Sequence, residues 1–120
     1  MTPELFLQTV KRAFPGSSPK LEDVKNYYWK EGYGDPRKGC YALDLRAESH
    51  ATAHVVKIRY LAPEPGHKYA LWSVNDGGSL QHSLEEARDE RRKRLINDIE
   101  TARRELLAFD QLSSPEYGGL

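Results

Sequence analysis

The most constraining feature of this sequence is an uninterrupted helical stretch close to its C-terminal end. Residues 83–110 contain neither proline nor glycine, and Ser83 and Glu86 have the spacing of a capping box, in which two residues satisfy each other's exposed amides. We therefore predict a helix from Ser83 to about Asp110. It would span roughly 42 Å, whereas a strand of eight residues spans only about 27 Å. We expect this helix to outrun any sheet on which it packs.

The segments before this helix predict a sheet. Apolar and polar residues alternate over Cys40–Ala47, His54–Leu61 and Tyr69–Val74, which is the period of a strand with one buried face. Short stretches rich in glycine, proline and asparagine separate these segments and indicate turns. A further strand is predicted over Val24–Lys30 from its aromatic residues, although its apolar residues also suit a helix.

An N-terminal helix is predicted from Thr2, a suitable capping residue, to the Pro15-Gly16 pair, which ends it. The predicted fold is therefore α+β: an N-terminal helix, an antiparallel meander of three or four strands, and a long C-terminal helix packed on one face. Residues 1–110 would form a single domain, and residues 111–120 a flexible tail.

Composition excludes several classes of protein. The chain has 18 basic and 18 acidic residues, so no overall field directs it to nucleic acid or to an anionic membrane. No apolar run is long enough to span a bilayer, and none resembles a secretory signal. The single Cys40 excludes an internal disulfide and a zinc site with several cysteines. Together these observations predict a cytoplasmic protein without membrane contact.

One face of the long helix changes character along its length. At 100° per residue, Arg88, Arg91 and Arg92 lie on the same face as a later group of apolar residues. That group consists of Leu95, Ile99, Ala102, Leu106 and Phe109. We expect the apolar part to pack on the core and the arginine part to lie in water.

The arginine part has three interpretations. It is a solvated overhang whose bases pair with neighbouring acids, or a docking surface for carboxylates or phosphates of a partner. The third is a homodimer in which two long helices lie antiparallel. The heptad signal is too short for a regular coiled coil.

Two further groups of residues are candidates for binding. Trp29 and Tyr33 are aromatic residues suited to a protein interface. Arg46, Lys57 and Arg59 project from the polar face of the predicted sheet, where bases beside aromatic rings can bind single-stranded nucleic acid.

The evidence for catalysis or for a metal is weak. Cys40 is a candidate nucleophile or metal ligand, with His50, His54, His67 and His82 as partners, but no spacing requires such a site. We therefore predict no catalytic residue, no metal and no cofactor. The predicted function is that of a small non-catalytic protein that binds another protein, as accessory or inhibitory proteins of bacterial or phage regulatory systems do. The alternatives are a protein that binds RNA or DNA, and a small enzyme or metal protein that uses Cys40 and the histidines.

Overall fold

The computed structural model describes residues 1–26, 39–49, 52–63, 69–75 and 80–115. Its elements, in chain order, are α1 (Pro3–Ala13), a short 3-10 helix (Leu21–Asp23), β1 (Lys25–Asn26), β2 (Tyr41–Ser49), β3 (Thr52–Leu61), β4 (Leu71–Val74) and α2 (Leu84–Ser113). The predicted α+β class, with a helix at each end of the described chain and strands between them, is confirmed.

The four strands form one antiparallel sheet in the order β1-β2-β3-β4, which confirms the predicted meander. The strand predicted over Val24–Lys30 is present as the two residues of β1, and residues 27–30 lie outside the described part. The β2–β3 register pairs Leu43 with Ile58 and Asp44 with Lys57. Since successive side chains point to opposite faces, one face of these strands is apolar and the other is charged.

Helix α1 covers the apolar face of the sheet. It begins where Thr2 Oγ1 accepts a hydrogen bond of 3.1 Å from the amide of Leu5, as predicted for an N-cap. Its buried residues are Phe6, Val10 and Ala13. The ring of Phe6 stacks on that of Trp72 in β4, with ring centroids 5.7 Å apart and planes inclined by 2°. The helix is thereby fixed on the sheet by aromatic contact as well as by aliphatic packing.

Tyr60 in β3 lies deep in this core. Its ring centroid is 4.8 Å from that of Trp72 and 6.4 Å from that of Tyr41. Burial raises the pKa of Tyr60, and the neighbouring Cys40 and Tyr41 raise it further, because each factor disfavours the phenolate. The core therefore keeps the hydroxyl of Tyr60 in its neutral form.

The chain divides into two compact units, Met1–Glu90 and Arg91–Leu120. The first unit contains the start of α2, where Ser83 Oγ accepts a hydrogen bond of 3.1 Å from the amide of Glu86. Leu84 and Ala87 are buried and belong to the core cluster. Thus α2 packs on the core through its first turn.

The buried part of helix α2 is its first turn and not the later part that we predicted. We expected residues from Leu95 onward to pack on the core, and this was wrong, because Leu95 and the later apolar residues of α2 are exposed. Within the first unit, the apolar face of the sheet is covered by α1 through Phe6 and Val10. The helix also continues to Ser113, three residues beyond its predicted end and into the predicted tail.

Candidate functional site

The strongest candidate for a functional surface is the exposed apolar face of α2 within the second unit. We call this face the α2 seam and define it by Leu95, Ile99, Ala102, Leu106 and Phe109. Successive members are four or three residues apart, so they lie along one side of the helix. Leu106 is 60 % exposed and Phe109 is 68 % exposed. A row of large apolar side chains therefore faces solvent over about four turns of helix.

The exposed apolar surface of α2 extends beyond the seam. Beyond the α2 seam, Ile96, Leu107 and Leu112 of the same helix are also exposed. These three lie about 80–120° around the helix from Leu106, on both sides of the seam, and the four large seam residues alone expose on the order of 400 Å² of side chain. The largest apolar patch of a typical monomer is about 300–600 Å² and is often functional, and the seam alone reaches this range. The α2 seam thus has the character of an interface.

The charges beside the seam do not have a single sign. Asp98 and Glu105 flank one side, while Arg103 and Asp110 flank the other. Their positions follow from 100° per residue on a regular helix. A surface that selects phosphates requires a concentration of positive charge, which this mixture does not provide. The flanks therefore favour a protein partner over nucleic acid.

The three predicted arginines have different environments. Arg88 donates from one guanidinium nitrogen to the carbonyl of Ala13, at 2.9 Å, and from Nε to Asp89, also at 2.9 Å. Ala13 is the last residue of α1, so Arg88 satisfies a carbonyl at a helix end. Arg91 is half-buried, and its Nε has no acceptor among the described residues. Arg92 is exposed. Of the three, Arg92 is best placed to meet a partner.

The polar face of the sheet is a weaker candidate. Arg46 is exposed, but the side chain of Arg59 is only 12 % exposed and forms an ion pair of 3.0 Å with Asp44. Asp44 also stands opposite Lys57 in the β2–β3 register. An acid therefore lies among the three predicted bases and offsets their attraction for phosphate. Trp29 and Tyr33, the predicted aromatic residues, lie outside the described residues.

A groove of about 310 Å³ lies beside this ion pair. Its lining residues are Glu22, Asp23, Lys25, Ala42, Leu43, Asp44 and Arg59. Asp23 already accepts a hydrogen bond of 2.9 Å from the amide of Lys20, and Asp44 pairs with Arg59. Two of the three acids in the groove are thus engaged within the chain, which leaves little that selects a ligand.

The predicted thiol and histidine candidates are dispersed. Cys40 is buried, and its Sγ accepts a hydrogen bond of 3.4 Å from the amide of Ala62. His54 is exposed on β3, and the ring of His82 lies against that of Tyr69 with centroids 5.4 Å apart. His50 and His67 lie outside the described residues. Among the residues that the structure describes, no group of three or more His, Cys, Asp or Glu side chains is arranged to hold a metal.

Comparison with known proteins does not assign this chain to a family, since no family model, curated protein or solved structure matches it. No helix in the described part of the chain is both long and apolar enough to cross a membrane.

The residues of the α2 seam were predicted from the sequence to share one side of the helix, but as core residues. The available signal was the N-terminal helix, whose Phe6, Val10 and Ala13 suffice to cover a small sheet. The sequence predicts two helices with an apolar face but only one apolar sheet face for them to cover. One helix face is therefore expected to lack a partner within the chain.

Proposed function

We propose that this protein acts by binding another protein through the α2 seam. The observation that carries the proposal is the exposure of Leu95, Ile99, Leu106 and Phe109 along one side of a helix. An amphipathic helix that presents apolar residues at spacings of three and four is a recurrent recognition element, because it fits a groove or another helix. Arg92 lies on the same side, at the N-terminal end of the seam, where it can add a charged contact at the rim.

The proposal is tested by comparing two charged variants of the same helix. Ile99→Asp places a carboxylate in the α2 seam, whereas Ala108→Asp places the same group on the opposite side, about 160° from Leu106. Both positions are exposed and helical, and Ala108→Asp loses more helix propensity than Ile99→Asp, so a larger effect of Ile99→Asp cannot come from helix propensity. Binding partners are captured from a lysate on the wild-type chain, identified, purified and titrated against each variant.

We expect Ile99→Asp to weaken the binding of a purified partner by at least about a hundredfold, because an unpaired charge would be buried at the interface. Ala108→Asp should change that affinity by less than about threefold. Equal affinity of both variants would refute the role of the seam. A partner that proves to be RNA or DNA, with affinity falling steeply as salt rises, would replace this proposal with the nucleic-acid alternative.

A further inference from the structure

We infer that the α2 seam takes a second copy of this chain, with the two helices antiparallel. The inference rests on the proposed function in that it uses the same surface, and it names the partner. It depends on three properties of the helix: the apolar area that it exposes, the sizes of the seam residues and the place where the apolar residues end.

The exposed area of the α2 seam is enough for the apolar centre of a pair. Each partner in a standard protein interface contributes about 800 Å², and the α2 seam supplies on the order of 400 Å² of apolar side chain as the centre of such an interface. A second identical helix would supply an equal apolar area. Two copies thus cover each other's seam residues without requiring a partner of different composition.

The sizes of the seam residues favour an antiparallel pair with its two-fold axis near residue 104. In this register Ile99 faces Phe109 of the second copy, and Ala102 faces Leu106 of the second copy. A small side chain therefore lies opposite a large one on each side of the axis, which is the alternation that fills a helix interface without voids.

The end of the seam fits the same register. Leu95 would face Ser113 of the second copy. The hydroxyl of Ser113 already donates a hydrogen bond of 2.7 Å to the carbonyl of Phe109 in its own helix, so it can approach an apolar side chain without losing a partner. The overlap would run from residue 95 to residue 113 and leave Arg92 outside it.

A parallel pair in register fits the same residues less well. Ala102 would face its own copy and leave a void, and the two copies of Phe109 would meet at one level. Arg92, which continues the seam at the same spacing, would face Arg92 of the second copy. Such a like-charge contact is destabilising. The sequence of the helix therefore favours the antiparallel arrangement.

The flanking charges limit the strength of the antiparallel pair and provide a test of its direction. Arg103 and Glu105 would each lie near their own copy close to the two-fold axis, and both contacts are repulsive. In a parallel pair, Arg103 would instead lie near Asp98 of the second copy, which is attractive. Arg103→Gln should therefore tighten an antiparallel pair about twofold and weaken a parallel one.

The experiment is sedimentation equilibrium of the full chain up to about 200 µM, a range that detects micromolar association. We expect a reversible dimer whose dissociation constant rises at least about a hundredfold in Ile99→Asp and changes less than about threefold in Ala108→Asp. Circular dichroism of both variants verifies that the helix is retained. Arg103→Gln should lower the dissociation constant.

Three results would overturn the inference. The first is a wild-type chain that remains monomeric at about 200 µM. The second is a dimer that tolerates Ile99→Asp. The third is a dimer that dissociates as salt rises, since this would indicate contacts between arginines and acids in place of the apolar seam. A monomer whose purified partner protein still discriminates Ile99→Asp from Ala108→Asp would refute self-association and leave the proposed function intact.

Discussion

The two units of this protein use similar apolar residues in opposite ways. In the first unit, Ile58 is fully buried between the sheet and its covering helix, in contact with a cluster of aliphatic and aromatic side chains. In the second unit, Ile99 is 59 % exposed on one side of α2. Burial of an isoleucine contributes to folding, whereas an exposed isoleucine contributes only when something covers it. Stability is thus concentrated in the first unit, and the proposed binding surface lies in the second.

The largest expected effect comes from replacing one isoleucine by alanine in each unit, and the two variants together test this contrast. Ile58→Ala should lower the free energy of unfolding by about 2–5 kcal/mol, through lost burial and the cavity that remains. Ile99→Ala should lower it by less than about 0.5 kcal/mol when the chain is monomeric. Urea denaturation, followed by tryptophan fluorescence at a dilution where no dimer forms, measures both values. Similar losses at the two positions would show that the contrast is wrong.

A smaller effect concerns the contact that joins the start of α2 to the end of α1. Arg88→Ala removes the hydrogen bond to the carbonyl of Ala13 and should cost about 1 kcal/mol, since the arginine is partly exposed. Arg92→Ala, on the exposed part of the same helix, should cost less than about 0.5 kcal/mol. The same denaturation experiment compares them. Equal costs would mean that Arg88 is not a structural residue.

The elements of the fold were predictable because their signals are local. The N-cap at Thr2, the capping residue Ser83 and the alternation along β2 and β3 each act within a few residues. The meander followed from the short connections between strands. These features depend on the spacing of residues along the chain, and the sequence contains that spacing in full.

The burial of α2 was not predictable from the same signals. Periodicity shows that Leu95 and Leu106 share a side of the helix, but the same periodicity describes a face that packs inside the chain and one that packs on another molecule. The spacing of residues along one helix does not contain that choice. The role of Arg88 was missed for a related reason, since its acceptor, Ala13, lies 75 residues away in sequence.

The smallest expected effect is a dependence of stability on alkaline pH that belongs to the first unit. Burial, followed by the effects of Cys40 and Tyr41, raises the pKa of Tyr60 in the folded state. The unfolded chain therefore loses this proton first as pH rises through about 10. Over that range the unfolded state binds fewer protons than the folded state, so the free energy of unfolding falls as pH increases. Below that range the contribution of Tyr60 is fully present.

Tyr60→Phe should flatten the decline in stability between about pH 9 and pH 11, because phenylalanine has no proton to lose. Tyr69→Phe is the matched control, since Tyr69 is largely exposed and its replacement should leave the decline in place. Urea denaturation across the pH range measures both. Helix α2 contains no tyrosine between Leu84 and Ser113. The helical signal, recorded by circular dichroism at the same pH values, should therefore be lost together with the tryptophan signal and not before it. A loss of helix before the loss of the tryptophan signal would place the alkaline sensitivity in the second unit and contradict the assignment to Tyr60.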